Sequence, residues 1–167
     1  VWLLGSSLFS AQLAGERGLP YAFASHFAPR LMHEAIRVYR NHFKPSAVLD
    51  KPYVMLGVPL VAADTDEQAQ YLATSVYQRI LALMRGQSLV QRAPVDTMDG
   101  LWLPHEKDAV MSFLGLAMVG SPEKIRAKLA VLIEQTGADE LIFTSDLYEH
   151  ADRIHSYELL AQVMKQG

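Results

Sequence analysis

The chain has 167 residues, of which 50% are hydrophobic and 20% are charged, and 18 acidic side chains outnumber 15 basic ones. These numbers indicate one globular domain with a sizeable core and exclude a disordered chain. The net charge of −3 argues against nucleic-acid binding, and the absence of cysteine excludes disulfides and thiolate metal sites. No apolar run approaches the roughly 20 residues of a membrane span, so we expect a cytoplasmic protein without a membrane partner.

The first predicted element is a buried strand over residues 1–4, a continuous apolar run that Gly5 and two serines end. A helix is predicted over residues 10–17, with Gly18 as its C-terminal stop. Because the chain opens inside an apolar run, without a polar or capping lead, we expect it to be part of a longer polypeptide.

The middle of the chain continues the alternation of strand and helix. A second strand is predicted over residues 21–24, and Pro29 suits the first turn of a helix that runs to about residue 43. A third strand is predicted over residues 53–63. The helix after it runs over residues 65–85 and has acidic side chains in its first turn, where the helix dipole favours them.

The segment over residues 87–108 has no clear periodicity and is longer than a routine connection. We predict a lid-like insertion there, with an incidental insertion or a contact between two copies of the chain as the alternative reading. One short helix is predicted after it, over residues 109–116. A longer helix follows over residues 121–137, then a fourth strand over residues 140–144; a final helix covers residues 148–165.

This order of elements predicts an α/β fold with four parallel strands in chain order. Two architectures fit, a small open doubly wound sheet and half of an eight-stranded (βα) barrel, and the opening of the chain favours the half barrel. Four strands cannot close a barrel that needs eight. We therefore expect some apolar strand residues to be exposed or covered by a second chain, namely Leu3, Phe23, Met55 and Ile142.

The loop after the first strand is the most informative candidate site, because ligands of parallel α/β sheets bind at the carboxyl ends of strands. Ser6 and Ser7 leave the strand, and Ser10 stands at the predicted helix start. Hydroxyl and N–H groups at a helix N-terminus suit an anion such as a phosphate. The alternative reading is a serine cap without a ligand.

His26 follows the second strand and is the second candidate. It is placed either to hydrogen-bond a cofactor or substrate and move a proton, or to serve as a partly buried structural histidine. A polar cluster with His150 and His155 follows the fourth strand. Their spacing of five residues does not align both rings on one helix face, so no metal site is predicted. The nucleophile elbow, the P-loop and the dinucleotide fingerprint are missing from the sequence, which favours chemistry supplied by an organic cofactor.

Five stretches of the sequence together resemble the bacterial luciferase-like flavin monooxygenases, most closely their single-chain branch of luciferase-like oxidoreductases. In chain order they are VWLLGSS (1–7), GLPYAFASHF (18–27), AADTDEQA (62–69), VGSPEKI (119–125) and GADEL (137–141). The resemblance implies a (βα)8 TIM barrel of which residues 1–167 are the C-terminal half, with strands five to eight and their helices. It places residues 87–108 where luciferases carry a mobile lid.

The same resemblance implies a cofactor, reduced FMN, or the deazaflavin F420 in some branches. In luciferases an acid, a serine and a threonine after the fifth strand help to hold the flavin phosphate, and the matching positions here are Ser6, Ser7 and Ser10. The catalytic histidine and a flavin-stacking cis peptide of the family belong to the other half of the barrel. No catalytic residue is therefore carried over, and His26 is a catalytic candidate by position alone.

Three functional readings follow from the resemblance. The first is a flavin-dependent monooxygenase that uses reduced FMN and O2 on a small organic substrate, with a separate flavin reductase as partner. The second is an F420-dependent oxidoreductase that transfers a hydride. The third is a non-catalytic flavin-binding fragment, because this half by itself is expected to be inactive without the N-terminal half or a second chain in a homo-oligomer.

Overall fold

The computed structural model describes residues 1–165. The strands are β1 (Leu3–Gly5), β2 (Tyr21–Phe23), β3 (Val54–Ala62), β4 (Met118–Gly120) and β5 (Glu140–Thr144). The helices are α1 (Leu8–Glu16), α2 (Met32–His42), α3 (Asp66–Met84), α4 (Pro104–Phe113), α5 (Pro122–Thr136) and α6 (His150–Lys165). A single 3₁₀ turn, Pro29–Leu31, precedes α2.

The sheet has the order β1-β2-β3-β4, with β5 also paired to β3. The three pairings along that path are parallel, and Gly5 lies opposite Phe23, which lies opposite Leu56. The four predicted strands, now β1, β2, β3 and β5, are therefore neighbours in chain order, as expected. The prediction of four strands was incomplete, because β4 is too short, at three residues, to show a periodic pattern.

The chain divides into two compact units, and β3 contributes to both. The first unit comprises residues 1–58 and 131–143, and the second comprises residues 59–130 and the chain from residue 144 onward. No helix among residues 1–165 is both long and apolar enough to cross a membrane.

In the first unit, one face of the sheet is buried. Its fully buried side chains are Tyr21, Phe23, Val54 and Leu56. α1 packs closely on α2, because its contact face is made of small residues. At Gly15 a Cβ would lie 2.7 Å from the Tyr39 carbonyl oxygen, so a larger residue there would force the two helices apart.

The opposite face of the same sheet carries Leu4, Ala22 and Met55 in one row, because paired residues of neighbouring strands point the same way. Leu4 is 71% exposed, and Ile142 of β5 is 52% exposed. The expectation of exposure is met by Ile142 and was wrong for Phe23, which is fully buried, whereas Leu3 and Met55 are half-buried. The reason is that side chains alternate along a strand. Leu3 and Phe23 therefore point to the same buried face as Tyr21, whereas Leu4 points to the other face.

The second unit has its own core around α3. Its buried residues are Val61, Ala63, Ala69, Leu72, Ala73, Tyr77, Leu81, Met98, Val110, Val119 and Leu147. Asp66 in the first turn of α3 accepts a hydrogen bond of 2.8 Å from the Ser121 N–H and lies 3.0 Å from Lys124 Nζ. These contacts lower the pKa of Asp66 and join the start of α3 to the start of α5.

Tyr39 gives a test of the first unit's core. Its hydroxyl donates to the Leu19 carbonyl at 2.9 Å and accepts from the Tyr53 N–H at 3.1 Å. We expect Tyr39→Phe to lower the free energy of unfolding by about 1–3 kcal/mol, because both backbone groups lose their partner. Tyr71→Phe is the matched control, since that ring is exposed; equal effects of the two variants in urea unfolding would contradict this role of Tyr39.

Candidate functional site

The first turn of α1 lies at the carboxyl edge of the sheet, directly after β1. Ser7 is the N-cap and Ser10 is the third helical residue, so the helix begins two residues earlier than predicted. The Ser10 N–H donates to Ser7 Oγ at 3.2 Å, and the Ser7 N–H donates to Ser10 Oγ at 3.3 Å. The two serines thus form a reciprocal capping box.

Gly5 brings this turn onto the end of β1. A Cβ at position 5 would overlap both Cβ and Oγ of Ser10. Any other residue at this position would therefore push the first turn of α1 away from the strand.

Tyr21 of β2 lies behind the capping box, and sequence reasoning missed it. Its hydroxyl lies 3.0 Å from Ser10 Oγ and donates to the Ser7 carbonyl at 3.3 Å. The residue is fully buried, and this burial raises the pKa of its hydroxyl, while the hydrogen bond between that hydroxyl and the Ser10 side chain acts in the opposite direction. The neutral phenol therefore holds the first turn in place across the strand boundary. In the sequence, Tyr21 is one residue of an apolar strand, and nothing near it in the sequence indicates a contact with Ser10.

The groups at the helix start differ in what they can offer to an anion. The N–H groups of Leu8 and Phe9 occupy the first two helical positions, which have no acceptor within the helix. No side-chain hydrogen bond among residues 1–165 includes the Ser6 hydroxyl. Ser7 Oγ lies 3.2 Å from Ser10 Oγ, which itself donates to the Ser7 carbonyl at 2.8 Å.

The three predicted phosphate ligands are therefore not equivalent. Ser7 and Ser10 are brought together, and Ser6 directly precedes the N-cap. The hydroxyls of Ser7 and Ser10 are both engaged within the turn, so the Ser7 hydroxyl has to turn away from Ser10 to donate to an anion, whereas that of Ser6 does not. That any of the three binds a phosphate stays a prediction.

His26 lies in the turn after β2, at the same edge of the sheet. The Ala24 N–H donates to the Gly5 carbonyl at 2.9 Å, which continues the pairing of β1 with β2 up to this turn. Ser25 Oγ donates to the carbonyl of Gly57 in β3. The half-buried His26 ring lies 4.2 Å from the Phe27 ring, and a Cβ at Gly57 would be 3.1 Å from its Nδ1. The histidine is therefore closely held, which suits either of its predicted roles.

The polar cluster that follows the last strand is divided by the fold. His155 Nε2 lies 3.0 Å from Asp64 Oδ1, and its Nδ1 lies 3.7 Å from Glu158. His150 instead approaches Arg153, with 3.5 Å between Nδ1 and Nη2. Within residues 1–165, no group of three or more His, Asp or Glu side chains is arranged to hold a metal ion.

The segment over residues 87–103 lies along α3, and α4 begins at Pro104 rather than at residue 109. The Val95 N–H donates to Thr74 Oγ1 at 2.8 Å, and Gln78 donates to the Ala93 carbonyl at 2.9 Å. These contacts hold the segment at several points in this conformation. Whether it opens as a lid stays a prediction.

Aromatic and ionic contacts fasten the end of that segment. The Trp102 ring stacks on Tyr77, with 6.0 Å between the ring centroids. The Arg85 guanidinium donates two hydrogen bonds of 2.7 Å to the Glu106 carboxylate, which also accepts the Leu103 N–H at 2.7 Å. Arg85 and the Leu103 N–H lower the pKa of Glu106 to about 2.

Comparison with known sequences identifies relatives of about twice this length. The family model described as luciferase-like monooxygenase matches residues 1–140. The protein YvbT of Bacillus subtilis is 53% identical over 165 residues, which cover 99% of this chain and 49% of YvbT. A luciferase-like monooxygenase of Escherichia coli is 43% identical over 166 residues, which cover 99% of this chain and 50% of the relative. The chain thus spans about half the length of these relatives.

A comparison with solved structures gives the same relation of length and fold. The crystal structure of apo-MsnO8 matches with a TM-score of 0.82 and 28% identity, over 98% of this chain and 50% of that one. The predicted fold class, half of a (βα)8 barrel, is confirmed.

Two more distant structures share the fold. The oxygenating constituent of 3,6-diketocamphane monooxygenase from Pseudomonas putida, in complex with FMN, has a TM-score of 0.62 and 19% identity, over 96% of this chain and 46% of that one. The coenzyme F420-dependent tetrahydromethanopterin reductase of Methanopyrus kandleri has a TM-score of 0.61 and 13% identity, over 96% of this chain and 48% of that one.

The pair of Arg85 and Glu106 predicts a pH dependence of stability. The pKa of Glu106 is about 2 in the folded chain against an ordinary value of 4.5, so its stabilising contribution is present above pH 4.5 and is lost as the pH falls toward 2. We expect Glu106→Gln to lower the free energy of unfolding at neutral pH, by an amount that shrinks over that acidic range. Urea unfolding at stepped pH measures this. Exposed Glu134→Gln is the control, and a pH-independent effect of Glu106→Gln would refute the pairing.

Proposed function

The chain belongs to the luciferase-like monooxygenase family, and from that premise we propose that it is the phosphate-anchoring half of a flavin-dependent oxidoreductase. The observation that carries the proposal is the Ser7–Ser10 capping box at the carboxyl edge of a parallel sheet, where α/β barrels bind their ligands. FMN is the favoured cofactor, since a structure with the same fold is a complex with FMN.

The residues at the α1 N-terminus fit the phosphate of such a cofactor. A dianion there gains from the helix dipole and from the N–H groups of Leu8 and Phe9 at the same time. The hydroxyls of Ser6 and Ser7 add two donors that can turn toward it. Ser10 and Tyr21 serve as positioning residues, because their hydroxyls are engaged with the turn itself.

Reduced FMN, when bound, supplies the electrons with which O2 oxygenates a small organic substrate. This chain's contribution is to hold the phosphate and to present His26 at the same edge of the sheet. The ring nitrogens of His26 suit it to hydrogen-bond a cofactor or substrate oxygen, or to move a proton. A separate flavin reductase is the partner that such a reaction needs.

The exposed face of the first unit's sheet is a candidate surface for contact with another part of the barrel or with a second chain. Leu4 and Ile142 stand on apolar strands in a chain that spans half the length of its relatives. In a complete eight-stranded barrel the inward side chains of all strands cover one another. We propose that the remaining half of the barrel, or a second copy of this chain in a homo-oligomer, covers this face.

Hydride transfer with F420 is the second candidate function. It is favoured by the match to an F420-dependent reductase, whose TM-score of 0.61 is close to the 0.62 of the FMN complex. Titration of the protein with each cofactor, followed by its absorption spectrum, separates the two candidates. Tighter binding of F420 than of FMN would replace the first candidate by the second.

Ser7→Asp tests the phosphate anchor without removing the helix cap. Aspartate caps helices about as well as serine, so we expect the free energy of unfolding to be retained. Its carboxylate repels a phosphate, so FMN is expected to bind about tenfold more weakly or worse, while riboflavin, which lacks the phosphate, binds unchanged. Calorimetric titration of both ligands into both proteins measures the difference.

Ser7→Ala completes the comparison, because it removes the hydroxyl and the cap together. We expect it to weaken FMN binding and also to lower the free energy of unfolding by about 1 kcal/mol. If Ser7→Asp weakens FMN and riboflavin equally, or neither, the phosphate does not bind at α1.

A further inference from the structure

Two buried hydrogen-bonding atoms of the second unit have no partner among the described residues. They are Ser145 Oγ, in the loop after β5, and Arg153 Nε, in the first turns of α6. Ser145 is only 8% exposed. A buried donor without an acceptor costs about 1–3 kcal/mol, so such groups in a folded protein call for a ligand or an ordered solvent molecule.

A contact of α6 with the loop after β5 relates these two residues. His150, Arg153 and Tyr157 are spaced by three and four residues, which places them on one face of α6. The Tyr157 hydroxyl accepts a hydrogen bond of 2.9 Å from the Ser145 N–H. The face of α6 that carries Arg153 is therefore the face turned toward the Ser145 backbone.

The charge at this place is not neutralised by the described chain. No carboxylate of residues 1–165 forms an ion pair with Arg153, whose Nη2 lies 3.5 Å from His150 Nδ1. The nearby acids are engaged elsewhere: Asp146 pairs with Arg79, and Asp64 pairs with His155. Glu149 and Asp152 flank Arg153 in sequence, but neither lies within 4.0 Å of its guanidinium nitrogens.

We infer that Ser145 and Arg153 form a binding site for an oxyanion, the carboxylate or phosphate group of a small molecule. The guanidinium supplies the positive charge, and the hydroxyl supplies a second donor. The first turn of α6 adds its own N–H groups and the positive end of its dipole. The site lies at the carboxyl end of β5, where ligands of this fold enter. It goes beyond the proposed function, because it uses other residues than the phosphate anchor at α1.

The test is a titration of the ¹⁵N-labelled protein with inorganic phosphate and, separately, with acetate. The Ser145 amide and the Arg153 Nε–H resonance report on this site alone. We expect both resonances to shift. The anion that shifts them at the lower concentration, phosphate or acetate, identifies the ligand group as a phosphate or a carboxylate. The absence of a shift with either anion would overturn the inference.

Substitutions make the test specific. Arg153→Gln is expected to weaken phosphate binding at the Ser145 amide by about tenfold, as for the loss of one charged hydrogen bond. Arg37→Gln makes the same chemical change on an exposed face of α2 and should leave the titration unchanged. Equal affinity of the Arg153→Gln and parent proteins would refute the role of Arg153.

Ser145→Ala gives an independent measurement. Its hydroxyl has no partner within the described chain, so its removal is expected to leave the free energy of unfolding in anion-free buffer unchanged and to weaken phosphate several-fold. A loss of stability with unchanged phosphate binding would mean that the hydroxyl serves the fold alone, against the inference.

The flavin titrations separate this inference from the proposed function. Arg153→Gln should leave the ratio of FMN to riboflavin affinity unchanged, whereas Ser7→Asp should lower it. If Arg153→Gln lowers that ratio instead, the oxyanion bound here is the flavin phosphate. That result supports the site and removes the anchor proposed at α1.

Discussion

The missing side chain at Gly5 is the constraint on which the arrangement around α1 depends. A Cβ there would overlap Ser10, so only glycine lets the first turn of the helix lie against the last residue of β1. From this contact follow the capping box and the approach of the Tyr21 hydroxyl. The helix N-terminus, with its unpaired N–H groups, is thereby held at the edge of the sheet where the fold binds ligands.

Close packing elsewhere in the first unit supports the same edge. α1 approaches α2 because Gly15 and two alanines form its contact face, and the Tyr39 hydroxyl satisfies two backbone groups from different loops. The rings of Tyr21 and Tyr39 lie 5.3 Å apart, so the support of the capping box is continuous with the core. The helix pair and the candidate site are therefore connected by the contact of two tyrosine rings.

In the second unit, polar contacts hold the starts of the helices in place, and they also hold the segment over residues 87–103. Asp66 joins the starts of two helices, and Arg85 holds Glu106 at the start of α4. Ser156 Oγ accepts the Ala62 N–H at 2.8 Å, which fixes α6 against the end of β3. Against this background of satisfied groups, Ser145 Oγ and Arg153 Nε are exceptions among the described residues of this unit, and each calls for an explanation.

The sequence by itself determined the alternation of strands and helices, the family and the loops at the edge of the sheet, because periodicity, caps and turn residues are local signals. It did not reveal β4, which is too short for a pattern, nor the face to which Phe23 points, since a four-residue apolar run has no alternation. Tertiary structure alone decided that Tyr21 supports Ser10 and that Tyr157 of α6 accepts the Ser145 N–H. Those contacts join residues from separate elements, and the packing of one element on another sets them.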